Sequence, residues 1–199
     1  YKKYVTELIL PYIGKDVLEV GAGIGGFTSY LCKGSRNSWI CIDPDFQHVE
    51  AIQRSLSKCL LPSYCEVRQA TIDQLDEEDR FDTIIYLDVL EHIEDDKTEL
   101  RTAATHLCHG GRLIVLAPAH QTFYSVFDKS IGHWRRYNRI TLLELTPSDL
   151  AVEAVRYIDS VGILASIVNR WFWGKEMPTR RQVAIWDSLM VPCSRILDR

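Results

Sequence analysis

A chain of 199 residues, 46% of them hydrophobic and 25% charged, is long enough for one domain with a sizeable core. A net charge of −4 gives no broad electrostatic footprint for nucleic acid, and six cysteines without a C-x-x-C pair give no zinc spacing, so they read as reduced core residues. No signal peptide is visible and no apolar run reaches ~18 residues, so the expectation is a soluble, cytoplasmic protein.

The sequence begins at Tyr1 rather than Met and reads as a trimmed chain. Residues 1–13 are expected to be helical, with Tyr4, Leu8 and Ile9 on one face and Pro11 near the stop. Val17, Leu18 and Val20 make the apolar, partly β-branched run of a buried parallel strand. The strand runs into Gly21-Ala22-Gly23-Ile24-Gly25-Gly26, after which Phe27, Tyr30 and Leu31 recur at helical spacing. So glycine-rich a turn bends sharply and lets a ligand lie against its backbone. Gly21, Gly23 and Gly26 fit the G-x-G-x-x-G dinucleotide fingerprint. Glu19 argues against that ligand, because a carboxylate at the strand's end repels a pyrophosphate. It suits a ligand that has no phosphate and carries a positive charge. A tight turn without any ligand is the plain alternative.

Residues 38–43 form a second apolar strand ending in Asp43, 22 residues past Gly21. An acid at that distance meets ribose hydroxyls in nucleotide-binding βαβ units. Alternatively, Asp43 caps the helix marked by Phe46, Val49, Ile52, Leu56 and Leu60. Residues 64–69 are the third strand, followed by Ala70-Thr71-Ile72-Asp73, and residues 81–87 are the fourth. Asp88-Val89-Leu90-Glu91-His92-Ile93 continues it, and Glu94, Asp95 and Asp96 read as a solvated, acidic helix start. Leu100, Ala103, Ala104 and Leu107 mark that helix, Gly110-Gly111 its stop, and residues 113–117 the fifth strand. Five alternations predict an α/β, doubly wound, mostly parallel sheet, with every candidate residue at the carboxyl edge.

Residues 119–138 break the pattern and read as a long aromatic lid ending in Gly132-His133-Trp134-Arg135-Arg136-Tyr137. His133 is a candidate base, and Arg135 or Arg136 a candidate anion binder. Equally, the arginines pin the lid to Asp128 or the sheet edge. Residues 141–145 form a short helix broken at Pro147, and residues 151–159 a sixth strand. Residues 161–173 and 182–197 read as apolar helices, and a seventh strand is expected beyond Arg199. Residues 1–159 then make the ligand-binding domain and 160–199 a helical cap of it. Rich in tryptophan and arginine, that cap shapes the site, rests peripherally on a membrane surface or packs a dimer.

Glu19 to Gly25 resembles, without a gap, the acid-x-Gly-x-Gly-x-Gly motif of the class I S-adenosylmethionine-dependent methyltransferases. Glu91-His92-Ile93 resembles the fourth-strand motif of the subgroup that includes ubiquinone-biosynthesis methyltransferases. The lid resembles a Gly-His-x-Arg-Arg-Tyr signature of one bacterial branch linked to glycan, lipid or secondary-metabolite pathways. The resemblance spans about residues 8–159. It implies a Rossmann-like fold, S-adenosylmethionine as cofactor, S-adenosylhomocysteine as product and a small-molecule acceptor, without nucleic acid. The cofactor residues it implies are Glu19, Gly21, Ala22, Gly23 and Gly25, then Asp43 and Pro44, Thr71 and Ile72, and finally Leu87, Asp88 and Val89. Thr71 departs from the usual acid, and its hydroxyl accepts a hydrogen bond more weakly, with Asp73 as the alternative. His92 and His133 are the candidate catalytic bases. Tyr124, His133, Arg136 and Tyr137 are the candidate substrate contacts. No metal is expected, since no carboxylate cluster is evident. An NAD-dependent oxidoreductase and a non-catalytic cofactor-binding module are the other readings.

Overall fold

Five parallel strands form one sheet in the order β3-β2-β1-β4-β5. The computed structural model describes residues 1–159 and 190–197. The strands are β1 (Asp16–Val20), β2 (Ser38–Asp43), β3 (Cys65–Gln69), β4 (Phe81–Leu87) and β5 (Leu107–Leu116). The helices are α1 (Lys2–Ile9), α2 (Thr28–Leu31), α3 (Phe46–Ser57), α4 (Asp96–Thr105), α5 (Val126–Ser130) and α6 (Arg139–Leu143), with a further helix over Val191–Leu197.

Side chains alternate across a strand, and here both faces are covered. Val17 packs with Trp39, Cys41, Phe27 and Ile52 under α1, α2 and α3. Leu18 and Val20 pack with Leu100, Ala103 and Tyr137 under α4 and the lid. Such double burial explains why the strands read as nearly continuous apolar runs. β1 pairs with β2 on one side and β4 on the other, so the strand order reverses there. Loops leaving β1 and β4 diverge to opposite faces, and the crevice between them is where open α/β sheets take ligands.

Several expectations are corrected. Phe46 and Leu60 are 61% and 70% exposed, because the inner face of α3 is Val49 and Ile52 and Leu60 lies beyond the helix end. Asp45, not Asp43, caps α3, accepting from the Gln47 N–H. Gly110-Gly111 is no helix stop but part of β5. Phe81 pairs with Leu107 and Thr83 with Arg112, so the intervening residues bulge, and Gly110 turns at φ +78°, which favours glycine. Asp96 is buried rather than solvated. Residues 151–159 form no strand. Side chains hold them instead, with Tyr157 stacked on His120 at 4.8 Å and Glu153 paired with Arg112 at 3.2 Å. All six cysteines are unpaired, but Cys59, Cys108 and Cys193 are exposed rather than in the core. The expected helix over 161–173 lies outside the described residues, as does the first half of that over 182–197. Among the described residues no helix is long and apolar enough to cross a membrane.

Candidate active site

The turn after β1 is built on backbone hydrogen bonds to β2. The Gly21 and Ala22 N–H groups both donate to Ile42 O, at 2.8 and 3.2 Å. Gly21 has φ +63°, and a Cβ there would lie 2.6 Å from Val89 Cγ1. A side chain is thus excluded twice over, by backbone conformation and by space. The turn bounds a cleft of about 250 Å³ whose other walls are Lys2, Leu87 and Asp88. Gly21, Ala22, Gly23 and Ile24 line it. Gly25 instead faces Ile52 of α3, and Val89 packs behind Gly21.

Glu19 touches this cleft but is 2% exposed, and its Oε2 faces inward. Thr28 Oγ1 and Trp39 Nε1 each donate to it at 2.9 Å, tying α2 and β2 to β1. Burial, only partly offset by these bonds, pushes its pKa up to about 7. Between the ordinary value of 4.5 and about 7 the folded chain holds a proton that the unfolded chain has lost. Stability therefore falls as pH rises through that window, by up to roughly 3 kcal/mol from this group. We expect Glu19→Gln to flatten this part of the curve, measured as urea midpoints at pH 5 and pH 7.5.

Asp43 joins the turn to β2. Its Oδ2 accepts the Gly23 N–H at 2.8 Å, and its Oδ1 accepts the Asp45 N–H at 2.9 Å and faces His48 Nδ1 at 3.1 Å. Beside it Pro44 is exposed, while Ile72 is buried in the next loop. The Thr71 hydroxyl donates to Asp73 Oδ1 at 2.5 Å, so both expected adenine acceptors sit together.

At the end of β4, Asp88 holds φ +57° and donates its N–H to Leu116 O at 2.9 Å. Asp88 is exposed where the cleft opens. The protein crowded behind it still displaces enough water to push its pKa up to about 6, against the pull of Lys2. The Lys2 ammonium stands over the Phe27 ring at 5.0 Å and against Gly26. Of Tyr1, Lys2 and Tyr4, which the helix expected over residues 1–13 offers as contacts of cofactor or substrate with a plain surface helix as the alternative, Lys2 lines the cleft.

The lid is ordered around one buried carboxylate. Asp128, 1% exposed, accepts from Arg136 Nε at 2.8 Å, Arg136 Nη2 at 2.7 Å, Ser125 N–H at 2.8 Å and Ser125 Oγ at 2.7 Å, with His133 Nδ1 at 3.1 Å. Burial opposes its charge, but Ser125 and Arg136 outweigh it and hold its pKa below the ordinary value. Arg135 donates to Asp96 Oδ2 at 2.6 Å and Glu94 O at 2.7 Å. The Tyr137 hydroxyl lies 2.8 Å from Asp96 Oδ2 and 3.1 Å from Leu90 O. Arg136 through Nε and Nη2 holds the lid to Asp128, and Tyr137 through its hydroxyl holds it to Asp96 of α4, so the arginines do pin the lid as the alternative reading has it. The Tyr124 hydroxyl likewise donates to His133 O at 2.6 Å. His92 is exposed and meets the His133 ring edge-on at 4.6 Å. Burial and the neighbouring His92 lower the His133 pKa, with Asp128 opposing them.

A family model described as "Methyltransferase domain" matches residues 18–113. No curated protein matches the chain significantly in sequence. Among solved structures, the chain is similar to the YcgJ protein from Bacillus subtilis, with TM-score 0.60 and 21% identity over 70% of this chain and 64% of that one. It is similar to the N-methyltransferase NodS from Bradyrhizobium japonicum WM9, solved in complex with S-adenosyl-L-homocysteine, with TM-score 0.61 and 21% identity over 79% and 77% of the two chains. It is also similar to the [4+2]-cyclase SpnF, with TM-score 0.61 and 17% identity over 72% and 54%. The chain thus spans less than two thirds of YcgJ and about half of SpnF. At these identities the likeness is one of fold. Residues 18–113, which carry the glycine turn, Asp43 and the end of β4, thus match a methyltransferase domain, and the fold is that of the class I S-adenosylmethionine-dependent methyltransferases.

Proposed function

We propose that the protein transfers a methyl group from S-adenosylmethionine to a small-molecule acceptor. The observation that carries this reading is the open glycine turn facing Asp88 across the β1/β4 switch point. At Gly23 nothing lies within 4 Å of where a Cβ would stand, so that backbone is free to meet a ligand. Asp88 places a carboxylate beside the turn and Lys2 a cation, while Glu19, buried with its pKa pushed up to about 7, adds only part of a negative charge. That balance suits a ligand with a sulfonium, an ammonium and a single carboxylate. It opposes the pyrophosphate of NAD. Asp43, at the end of β2, is the residue for the ribose hydroxyls, Thr71 and Ile72 those for the adenine, and Lys2 that for the carboxylate.

Bound there, S-adenosylmethionine supplies a methyl group on electron-poor sulfur, which the acceptor's lone pair attacks as the carbon–sulfur bond breaks. The protein's part is to align the acceptor and keep water out, and proximity does much of the work. His92 and His133 are the candidate acceptors for a proton that the nucleophile brings. Asp128, held as a carboxylate, takes the His133 Nδ1–H and leaves Nε2 as the accepting nitrogen. Unpaired thiols at all six cysteines support a reducing, cytoplasmic location.

Calorimetric titration with S-adenosylhomocysteine tests the reading. Micromolar binding is expected for the wild type, with no binding of NAD. Asp43→Ala removes charge-assisted hydrogen bonds of about 1.5–3 kcal/mol, so it should bind tenfold to a hundredfold more weakly. Binding of NAD in place of S-adenosylhomocysteine would overturn the reading.

A further inference from the structure

We propose that Glu91, His92 and His133 bind a divalent transition-metal ion beside the cleft. One ligand atom from each of the three lies within 4.8 Å of the other two. His133 Nε2 faces Glu91 Oε1 at 3.8 Å, which is no hydrogen bond but is close to the spacing of two ligands on one ion. Atoms bound to a single zinc-like ion at about 2.1 Å stand roughly 3–3.5 Å from each other, so small side-chain rotations close the set.

A second observation points to an occupant. Glu91 is 1% exposed, and its Oε2 has no hydrogen-bond partner. A buried carboxylate oxygen without a partner is costly, and a cation between it and two imidazoles removes that cost. The surroundings are built as metal sites are built. Asp128 takes the Nδ1–H of His133, which fixes the ring with Nε2 toward Glu91, and Arg136 in turn holds Asp128. A carboxylate behind a ligating histidine orients it and raises its basicity. Two histidines and one carboxylate leave further positions of the ion open, as in catalytic zinc and non-haem iron sites.

The ion's role in the reaction rests on the methyl-transfer reading, whereas its binding does not. An acceptor hydroxyl on the ion becomes more acidic and gives its proton to water. Its oxygen then forms the new bond to the methyl carbon while the carbon–sulfur electrons leave with sulfur. In this arrangement His92 and His133 are ligands rather than bases.

The test is titration of the chelator-treated chain with cobalt(II), read by visible absorption, with zinc as competitor. We expect one ion per chain and a binding loss of more than about tenfold in both His92→Ala and Glu91→Gln. His92 is exposed, so His92→Ala should keep the wild-type melting temperature in the absence of metal. Absorption that neither variant changes would overturn the site, as would thiolate-to-cobalt bands showing that cysteines hold the ion, or no binding at all. S-adenosylhomocysteine binding, measured on the same samples, reports separately on the methyltransferase reading.

Discussion

Asp128→Ala is expected to destabilise the protein by about 3 kcal/mol. Breaking a buried ion pair from one side costs about 3–5 kcal/mol, because the other charge is left without its partner. The lower end applies because the Arg136 side chain is 23% exposed and water reaches part of it. Ser125 loses the acceptor for its N–H and hydroxyl at the same time, so α5 loses the reciprocal half of its capping box. Asp128→Asn keeps one oxygen and should cost less. Urea unfolding of the two variants checks this, and a loss below about 1 kcal/mol for Asp128→Ala would show that the lid is not organised on that carboxylate.

Gly21→Ala should abolish S-adenosylhomocysteine binding and cost about 2–4 kcal/mol of stability. Two causes add. Alanine at φ +63° costs about 1–2 kcal/mol, and the 2.6 Å approach to Val89 forces Val89 or the turn to move. Combining it with Val89→Ala separates them. The double variant relieves the contact but not the backbone strain, so it should fold better than Gly21→Ala alone yet bind no better than weakly. Calorimetry and thermal melts on the three proteins read both quantities. Full binding by Gly21→Ala would mean that the turn does not touch the ligand.

The strands were legible because both sheet faces are covered, which writes each inner strand as an apolar run such as Val17 to Val20 or Ile84 to Leu87. The glycine turn and the end of β4 were legible because their chemistry is contiguous in the chain. The lid's hub was not. Asp128 meets Ser125, His133 and Arg136 through a fold of the loop that no period encodes, and Asp96 looked like a solvated helix start until Arg135 and Tyr137 came to it from about 40 residues away. Glu91, His92 and His133 were missed as a set for the same reason. The bulge at Gly110 was misread because a glycine pair marks a helix end and a kinked strand alike.

The strand order also governs how the chain acquires its cleft. β1, β2 and β3 are consecutive, so residues 16–69 can pair as soon as they leave the ribosome. β4 reaches β1 across about 66 residues, a non-local closure and a slow one. Until it docks, the nascent chain has the glycine wall of the cleft without Leu87 and Asp88 opposite. Binding competence is therefore gained in a single late event. In a refolding mixture S-adenosylhomocysteine would select chains that have passed that event, drawing the population toward the native state without accelerating the pairing of the first three strands.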